Sequence, residues 1–397
     1  MTSLPIFSVT RVGSWPRPAW LLQAQRRKRR GELGAESFAH LADRAVLDVL
    51  RLQELAGADL VTDGEQRRDN FYSFVAERLE GVRLMTLAEM LDVVEDRQGF
   101  ERILQTLDVP SFAISNATCV GRVSRRASLV LDDLRVLRRH TQRPIKVTLP
   151  GPYLLTRSMF VPAASAAAYA TKEELSQDVV GVLRDEIEEL VEAGVDFIQL
   201  DEPVLTELVF TQGQTRTFMC AALAARNDPA EELELAMTLI NQVAEAARGV
   251  RLGVHVCRGN WSRDESTLLR GSYAPLAPYL ARLNVQQLVL EYATERAGEI
   301  VAIESKELGL GVTNPRTAEL ETTDRVRALV ERALRHYPAD RLFLNPDCGF
   351  GTFSNRPVNE SEPAFAKLRV ISEAASQLRL THTPCSALST MAVRPIP

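Results

Sequence analysis

The sequence is short of several things, and each shortage excludes something. Among 397 residues there are five cysteines, Cys119, Cys220, Cys257, Cys348 and Cys385, too few and too scattered for a disulfide framework. No closely spaced CxxC pair occurs, which removes the usual pattern of a structural zinc site. No apolar run approaches the ~20 residues that a membrane span requires. The opening MTSLPIFSVTRVGSW has no charged stretch followed by an apolar one, so no signal peptide is expected. Positive charge is not in excess either: the formal net charge is −5, which argues against a nucleic-acid partner. Together these absences lead us to expect a cytoplasmic, reducing compartment. There, a cysteine near a histidine is a metal ligand or catalytic group before it is half of a bridge.

What is present is ordinary for a globular chain, with 45% apolar and 25% charged residues. Short β-branched apolar runs recur at Phe7–Ser14, Asp59–Asp63, Ile145–Leu149, Phe197–Asp201, Leu252–Val256, Gln287–Glu291, Leu308–Thr313 and Leu342–Pro346. Between them lie segments with apolar residues at three- and four-residue spacing, such as Lys172–Ala193, Glu231–Ala247, Asp324–His336 and Glu362–Leu378. Strand and long helix in alternation predict parallel βα units. Eight of them predict an α/β fold of the (β/α)8 TIM-barrel type, one catalytic domain over residues 1–380, with an open doubly wound sheet as the alternative. Residues 67–143 are too many for one connection and read as an insertion after strand two. Helices are expected there near Phe71–Glu80 and Thr86–Leu107, with a β-like stretch at Phe112–Val130. Residues 381–397, rich in Ser, Thr and Pro, read as a flexible tail. The basic run Arg26–Arg30 reads first as a solvated face, and second as a docking patch for an acidic substrate tail or partner.

The C-terminal ends of these strands carry the chemistry. They read Gly13-Ser14-Trp15, Asp63-Gly64-Glu65, Pro150-Gly151-Pro152, Asp201-Glu202-Pro203, His255-Val256-Cys257, Glu291, Asn314-Pro315 and Asp347-Cys348-Gly349. In a barrel these ends meet on one face. Acids, thiols and an imidazole there are costly unless they are paired, hydrogen-bonded or metal-bound. His255 and Cys257, two residues apart on a strand, face the same side, and Cys348 brings a second sulfur from the last strand. Zinc favours such mixed nitrogen and sulfur sets. A lone HxC is a weak signal, since a core cysteine beside a satisfied histidine is commoner, but the joint pattern with Cys348 is stronger. Glu291 is the candidate for a displaceable fourth ligand, with a carboxylate bonded to a loop as the competing reading. An incoming thiol that loses its proton and displaces Glu291 would leave the charge around the ion unchanged, and metal coordination deprotonates a thiol outright. Glu65, Asp201 and Glu207 suit the ammonium of an amino-acid thiol, and Ser14 its carboxylate. Any of these acids could instead cap a helix or pair with Arg67 and Arg68, and for Glu207 that is the preferred reading.

The motifs RVGSWPRP, TDGEQRRDNF, LPGPYLL, FIQLDEPVL, HVCRGN, LEYA and NPDCGFGTF, in this order, resemble the catalytic domain of cobalamin-independent methionine synthase. The resemblance runs from Ser8 to about Leu378. It implies that His255, Cys257, Glu291 and Cys348 are zinc ligands, and that Ser14, Glu65 and Asp201 bind homocysteine. It implies that Glu207 contacts the pterin of a methyl-folate. The activity implied is methyl transfer to the zinc-bound thiolate of homocysteine, giving methionine. Catalytic roles would fall to Glu65, Asp201 and Arg316, the last aligning with a family histidine proposed as a proton shuttle. Two other departures bear on the donor: Ser158 stands where the folate enzymes carry a pterin-stacking tryptophan, and Thr118 where they carry a folate-contacting arginine. The expected partners are therefore homocysteine and a methyl donor, either methyl-folate or a methylcorrinoid, with a methyl-carrier protein as a candidate. The group also contains thiol alkyltransferases such as epoxyalkane:coenzyme M transferase, and a non-catalytic zinc-binding barrel is a third reading.

Overall fold

The β-branched runs assemble into a curled parallel sheet wrapped by helices in the computed structural model, which describes residues 4–94, 98, 115–210, 228–265, 268–354 and 356–382. The strands are β1 (Ser8–Val9), β2 (Leu79–Thr86), β3 (Ser115–Arg125), β4 (Lys146–Pro150), β5 (Phe197–Asp201), β6 (Arg251–Val256), β7 (Gln287–Glu291), β8 (Glu307–Thr313) and β9 (Leu342–Pro346). Seven of them form one sheet in the order β1-β9-β8-β7-β6-β5-β4, each neighbouring pair parallel. Every residue of β4, β5, β7 and β9 is buried, as parallel strands are when both faces are covered.

The first two expected strands are shorter than the sequence suggests. Of Phe7–Ser14 only Ser8–Val9 joins the ladder, because the chain then turns away to carry Ser14 toward Phe350, whose N–H bonds to the Ser14 carbonyl at 3.0 Å. Of Asp59–Asp63 only the bridge between Val61 and Ile145 forms. This extended segment is nevertheless bonded to both edges of the sheet. The Asp59 and Leu60 N–H groups donate to the Val9 carbonyl at 2.8 and 3.1 Å, and the Lys146 N–H donates to the Val61 carbonyl at 2.8 Å.

β2 and β3 pair separately as an antiparallel hairpin, with Leu79 opposite Arg125 and Thr86 opposite Ser115. The helix expected at Phe71–Glu80 is instead a 3₁₀ turn, Ser73–Glu77, leading into β2. Of the helix expected at Thr86–Leu107, the described residues show Leu87–Leu91, started by a Thr86–Glu89 capping box, and most of the remainder lies outside them. The long helices follow their sequence signals. Lys172–Glu192 is capped by Thr171, Pro229–Ala244 by Asp228 with proline in its first turn, and Thr323–Ala333 by Thr322. The last helix is Ser361–His382, and the tail expected beyond it lies outside the described residues, as do Cys220 and Cys385.

One apolar cluster runs from Phe7 to Leu378, so sheet and helices share a core. Four of the basic residues Arg26–Arg30 occupy the last turn of the helix Ala19–Arg29, where cations complement the helix dipole. Lys28 pairs there with Glu77 at 2.7 Å. Among the described residues no helix is long and apolar enough to cross a membrane.

Candidate active site

All strands of the main sheet point one way, so their C-terminal ends share a rim. A cavity on that rim is lined by Gly13, Ser14, Glu65, Phe71, Asp201, Pro203, His255, Cys257, Asn260, Trp261, Cys348 and Gly349. The structure thus brings together Ser14, Glu65, Asp201, His255, Cys257 and Cys348 from five separate stretches of chain. Glu207, Glu291 and Arg316 are not among the lining residues.

His255, Cys257 and Cys348 offer ligand atoms that all lie within 4.8 Å of one another. His255 is the last residue but one of β6, and its Nδ1 faces the Val289 carbonyl at 3.1 Å, while its buried Nε2 has no hydrogen-bond partner. A proton on Nδ1 directed at a carbonyl leaves the Nε2 lone pair free, the arrangement of a metal-ligating histidine. Burial would lower His255, but the Cys257 sulfur, with Asp201 and Glu291, lifts it to about 9. The Cys348 thiol, and then His255, bring Cys257 down to about 5 against burial. Cys348 is pushed well above the ordinary thiol range by its bond to Cys257 and by burial. Two sulfurs and one bare imidazole nitrogen suit zinc.

Glu65 and Asp201 supply negative charge across the cavity. Glu65 adopts a left-handed backbone (φ 55°) directly after Gly64 (φ 66°), a conformation glutamate rarely takes and one that functional sites sustain. Its Oε1 accepts from Thr148 at 3.1 Å, while Oε2 is buried without a partner. A Cβ at Gly13 would push the Glu65 carboxylate from this position. Asp201 accepts from Gln199 Nε2 at 2.7 Å, and burial raises its carboxyl to about 7. Ser14 Oγ accepts the Gly351 N–H at 3.3 Å, and a Cβ at Gly349 would overlap that hydroxyl. The glycines after Cys348 therefore let the last strand's loop close over Ser14.

Glu291 ends β7, buried, and points its carboxylate at donors rather than at the sulfurs. Oε1 accepts the Arg258 N–H at 3.1 Å and Nδ2 of Asn260, and Oε2 pairs with Nη2 of Arg296 at 3.0 Å. Arg316 lies behind Asn260, its Nε donating to Asn260 Oδ1 at 3.1 Å and its other end paired with Glu265. Arg316, to which the resemblance gave the proton-shuttle position, is thus buried, ion-paired and outside the cavity lining. Glu207 lies on the helix Val204–Phe210, where, against burial, it and Tyr153 keep the buried Arg157 charged. Ser158 and Thr118 are fully buried away from the cavity, the Ser158 carbonyl and the Thr118 hydroxyl both bonded to Asn116. Sequence reasoning assigned no role to Arg258, Asn260 or Arg296. The signal was the RGN that completes HVCRGN, together with an arginine five residues after Glu291.

A family model described as cobalamin-independent synthase, catalytic domain, matches residues 7–377. The chain belongs to this family. Among curated members of similar sequence, the methionine synthase of Thermococcus kodakarensis is 28% identical over 89% of both chains. That of Sulfurisphaera tokodaii is 28% identical over 88% of this chain and 87% of its own. The fold matches a B12-independent methionine synthase from Shewanella sp. W3-18-1, solved in complex with selenomethionine, at a TM-score of 0.73 and 24% identity, covering 96% and 99% of the two chains. A putative vitamin-B12-independent methionine synthase from Listeria monocytogenes matches at 0.67 and 21%, covering 95% and 99%.

Proposed function

We propose that the chain is a zinc-dependent methyltransferase that moves a methyl group onto the thiol of homocysteine, giving methionine. The observation that carries this reading is the buried His255, Cys257 and Cys348 group with its bare imidazole nitrogen. It stands in a family of cobalamin-independent synthases whose similar members are named methionine synthase. Zinc held by these three residues, with Glu291 beside them, would let a thiol of ordinary pKa ~8.5 react as thiolate at neutral pH.

The remaining roles belong to the chain itself. The open oxygen of Glu65 and the Asp201 carboxylate take the substrate ammonium, and its arrival draws Asp201 into the ionised form. The Ser14 hydroxyl donates to the substrate carboxylate. Phe71, Pro203 and Trp261 give the cavity an apolar wall that keeps water from the methyl group in flight. The methyl carbon bonds to sulfur as the donor atom departs with the bonding electron pair. The donor is methyl-folate or a methylcorrinoid, the latter delivered by a carrier protein. Ser158 and Thr118, both turned into the core, favour a donor held without the pterin contacts of the folate enzymes. In this reading residues 1–380 form one cytoplasmic (β/α)8 barrel, with 59–63 as its second stave and 67–143 as the addition after it.

Alkyl transfer to coenzyme M is disfavoured, because no lysine or arginine lines the cavity among the described residues to meet a sulfonate. A barrel that merely stores zinc gives Glu65 and Asp201 nothing to bind. The test is metal content together with turnover. About one zinc per chain is expected, and Cys348→Ser should lose both metal and methyl transfer. Full activity in metal-free protein would end the proposal, and a panel of methyl-folate against methylcobalamin selects the donor.

A further inference from the structure

We propose that Asn260 and Arg296 form a second seat for the Glu291 carboxylate, where it waits while a thiol occupies its place on the metal. The proposal rests on the zinc reading above. Neither oxygen of Glu291 belongs to the group of atoms formed by His255, Cys257 and Cys348. Instead both are engaged by donors: the Arg258 N–H and Asn260 Nδ2 on one oxygen, and Arg296 Nη2 on the other. Arg258 directly follows the ligand Cys257, so the seat lies one peptide away from the metal group. Rotation of the glutamate side chain would suffice to move between the two.

The seat is itself held in place. Asn260 Oδ1 accepts from Arg296 at 2.9 Å and from Arg316 at 3.1 Å. Both are guanidinium donors that cannot accept, so the amide can only turn its NH₂ toward Glu291. Arg296 Nη1 is anchored on the Gly259 carbonyl at 3.2 Å, and Arg316 is pinned by Glu265. The arrangement solves an energetic problem. A carboxylate expelled from a metal inside a protein would otherwise be a buried, uncompensated charge. Here it meets Arg296, 4% exposed, while the arriving thiolate keeps the charge at the metal constant. Arg296 and Arg316 are thus positioning residues, and Asn260 is the part of the seat that faces the cavity.

The experiment uses full-length protein loaded with zinc or cobalt(II), with metal-edge absorption and cobalt electronic spectra recorded with and without homocysteine. The wild type should gain a sulfur ligand and lose an oxygen when homocysteine binds. Asn260→Leu should keep Glu291 on the metal. Homocysteine affinity should then fall about tenfold, roughly the worth of one charge-assisted hydrogen bond, while metal release to a chelator slows. Arg316→Gln, which touches neither Glu291 nor the cavity, should shift both in the same direction by less. In a Glu291→Gln background Asn260→Leu should add nothing. Unchanged homocysteine affinity and metal release in both single variants would overturn the seat. So would an oxygen ligand that persists in the homocysteine-bound wild type, a measurement that requires no variant to fold. If the wild type gains no sulfur, the zinc reading falls and the seat with it.

Discussion

Asp201 closes β5 in a place where burial holds its carboxyl near 7, so at neutral pH the free protein is divided between charged and uncharged forms. Only the ionised form attracts a substrate ammonium. Homocysteine affinity should therefore weaken as pH falls from about 8 to about 6, a limb that calorimetric titration across this range would reveal. Asp201→Asn should bind at least about tenfold more weakly, from loss of a charge-assisted contact, and should show a shallower limb, keeping only the slope due to the thiol proton released at the metal. A wild-type affinity flat in pH would remove Asp201 from substrate binding. The residues at strand ends were legible in the sequence for a reason that Asp201 illustrates: one acid after an apolar run can be a helix cap, but polar groups at the ends of nearly all the strands are costly unless they share a purpose. Asn260 and Arg296 were not legible. Their purpose depends on two loops folding back against Glu291, and no spacing rule encodes that closure.

The start of β2 is what sequence patterning misread, whereas its partner β3 lies within the β-like stretch expected at Phe112–Val130. Val75, Leu79 and Val82 recur at helical spacing, yet the chain forms a 3₁₀ turn and then a strand whose pleat is interrupted between Glu80 and Val82. Gly81 sits in that interruption with φ 72°, and a Cβ there would collide with the Arg122 carbonyl on the facing strand. A bulge of this kind spoils the period-two alternation by which a strand is recognised. Gly81→Val should accordingly cost about 2–4 kcal/mol, combining left-handed strain with a backbone clash, and should show in denaturant unfolding. A cost near zero would mean that the bulge relaxes freely. Longer elements were better predicted, since a helix such as Lys172–Glu192 repeats its apolar stripe over many turns and announces its start with Thr171.

Across the whole molecule, the polar rim has a consequence for stability. Asp201 and Glu202 are raised by burial to about 7 and about 8. Between roughly pH 4 and these values the folded state holds protons that the unfolded chain has released, so their contribution to stability falls as pH rises. Cys257, lowered to about 5, acts oppositely and offsets part of this loss, and Lys146, buried inside the sheet and lowered to about 7, does so only above that pH. Metal-free protein should therefore melt at a temperature at least about 3 °C higher near pH 5.5 than near pH 7. Zinc binding, which needs deprotonated cysteines, should stabilise more as pH rises, so differential scanning of the two forms should show their curves diverging. A metal-free protein that gains stability over the same range would contradict the burial argument.

The pairing of Ser8 with Phe343 joins the first strand to the last. During synthesis His255 and Cys257 leave the ribosome well before the strand that carries Cys348 can dock beside β1. Metal capture by all three side chains would then have to wait until Cys348 has been made, and a chain interrupted before it would present an unguarded thiol in place of a finished centre. On the zinc reading, the fold would make acquisition of the ion a late step of biogenesis, one that chains ending before Cys348 fail.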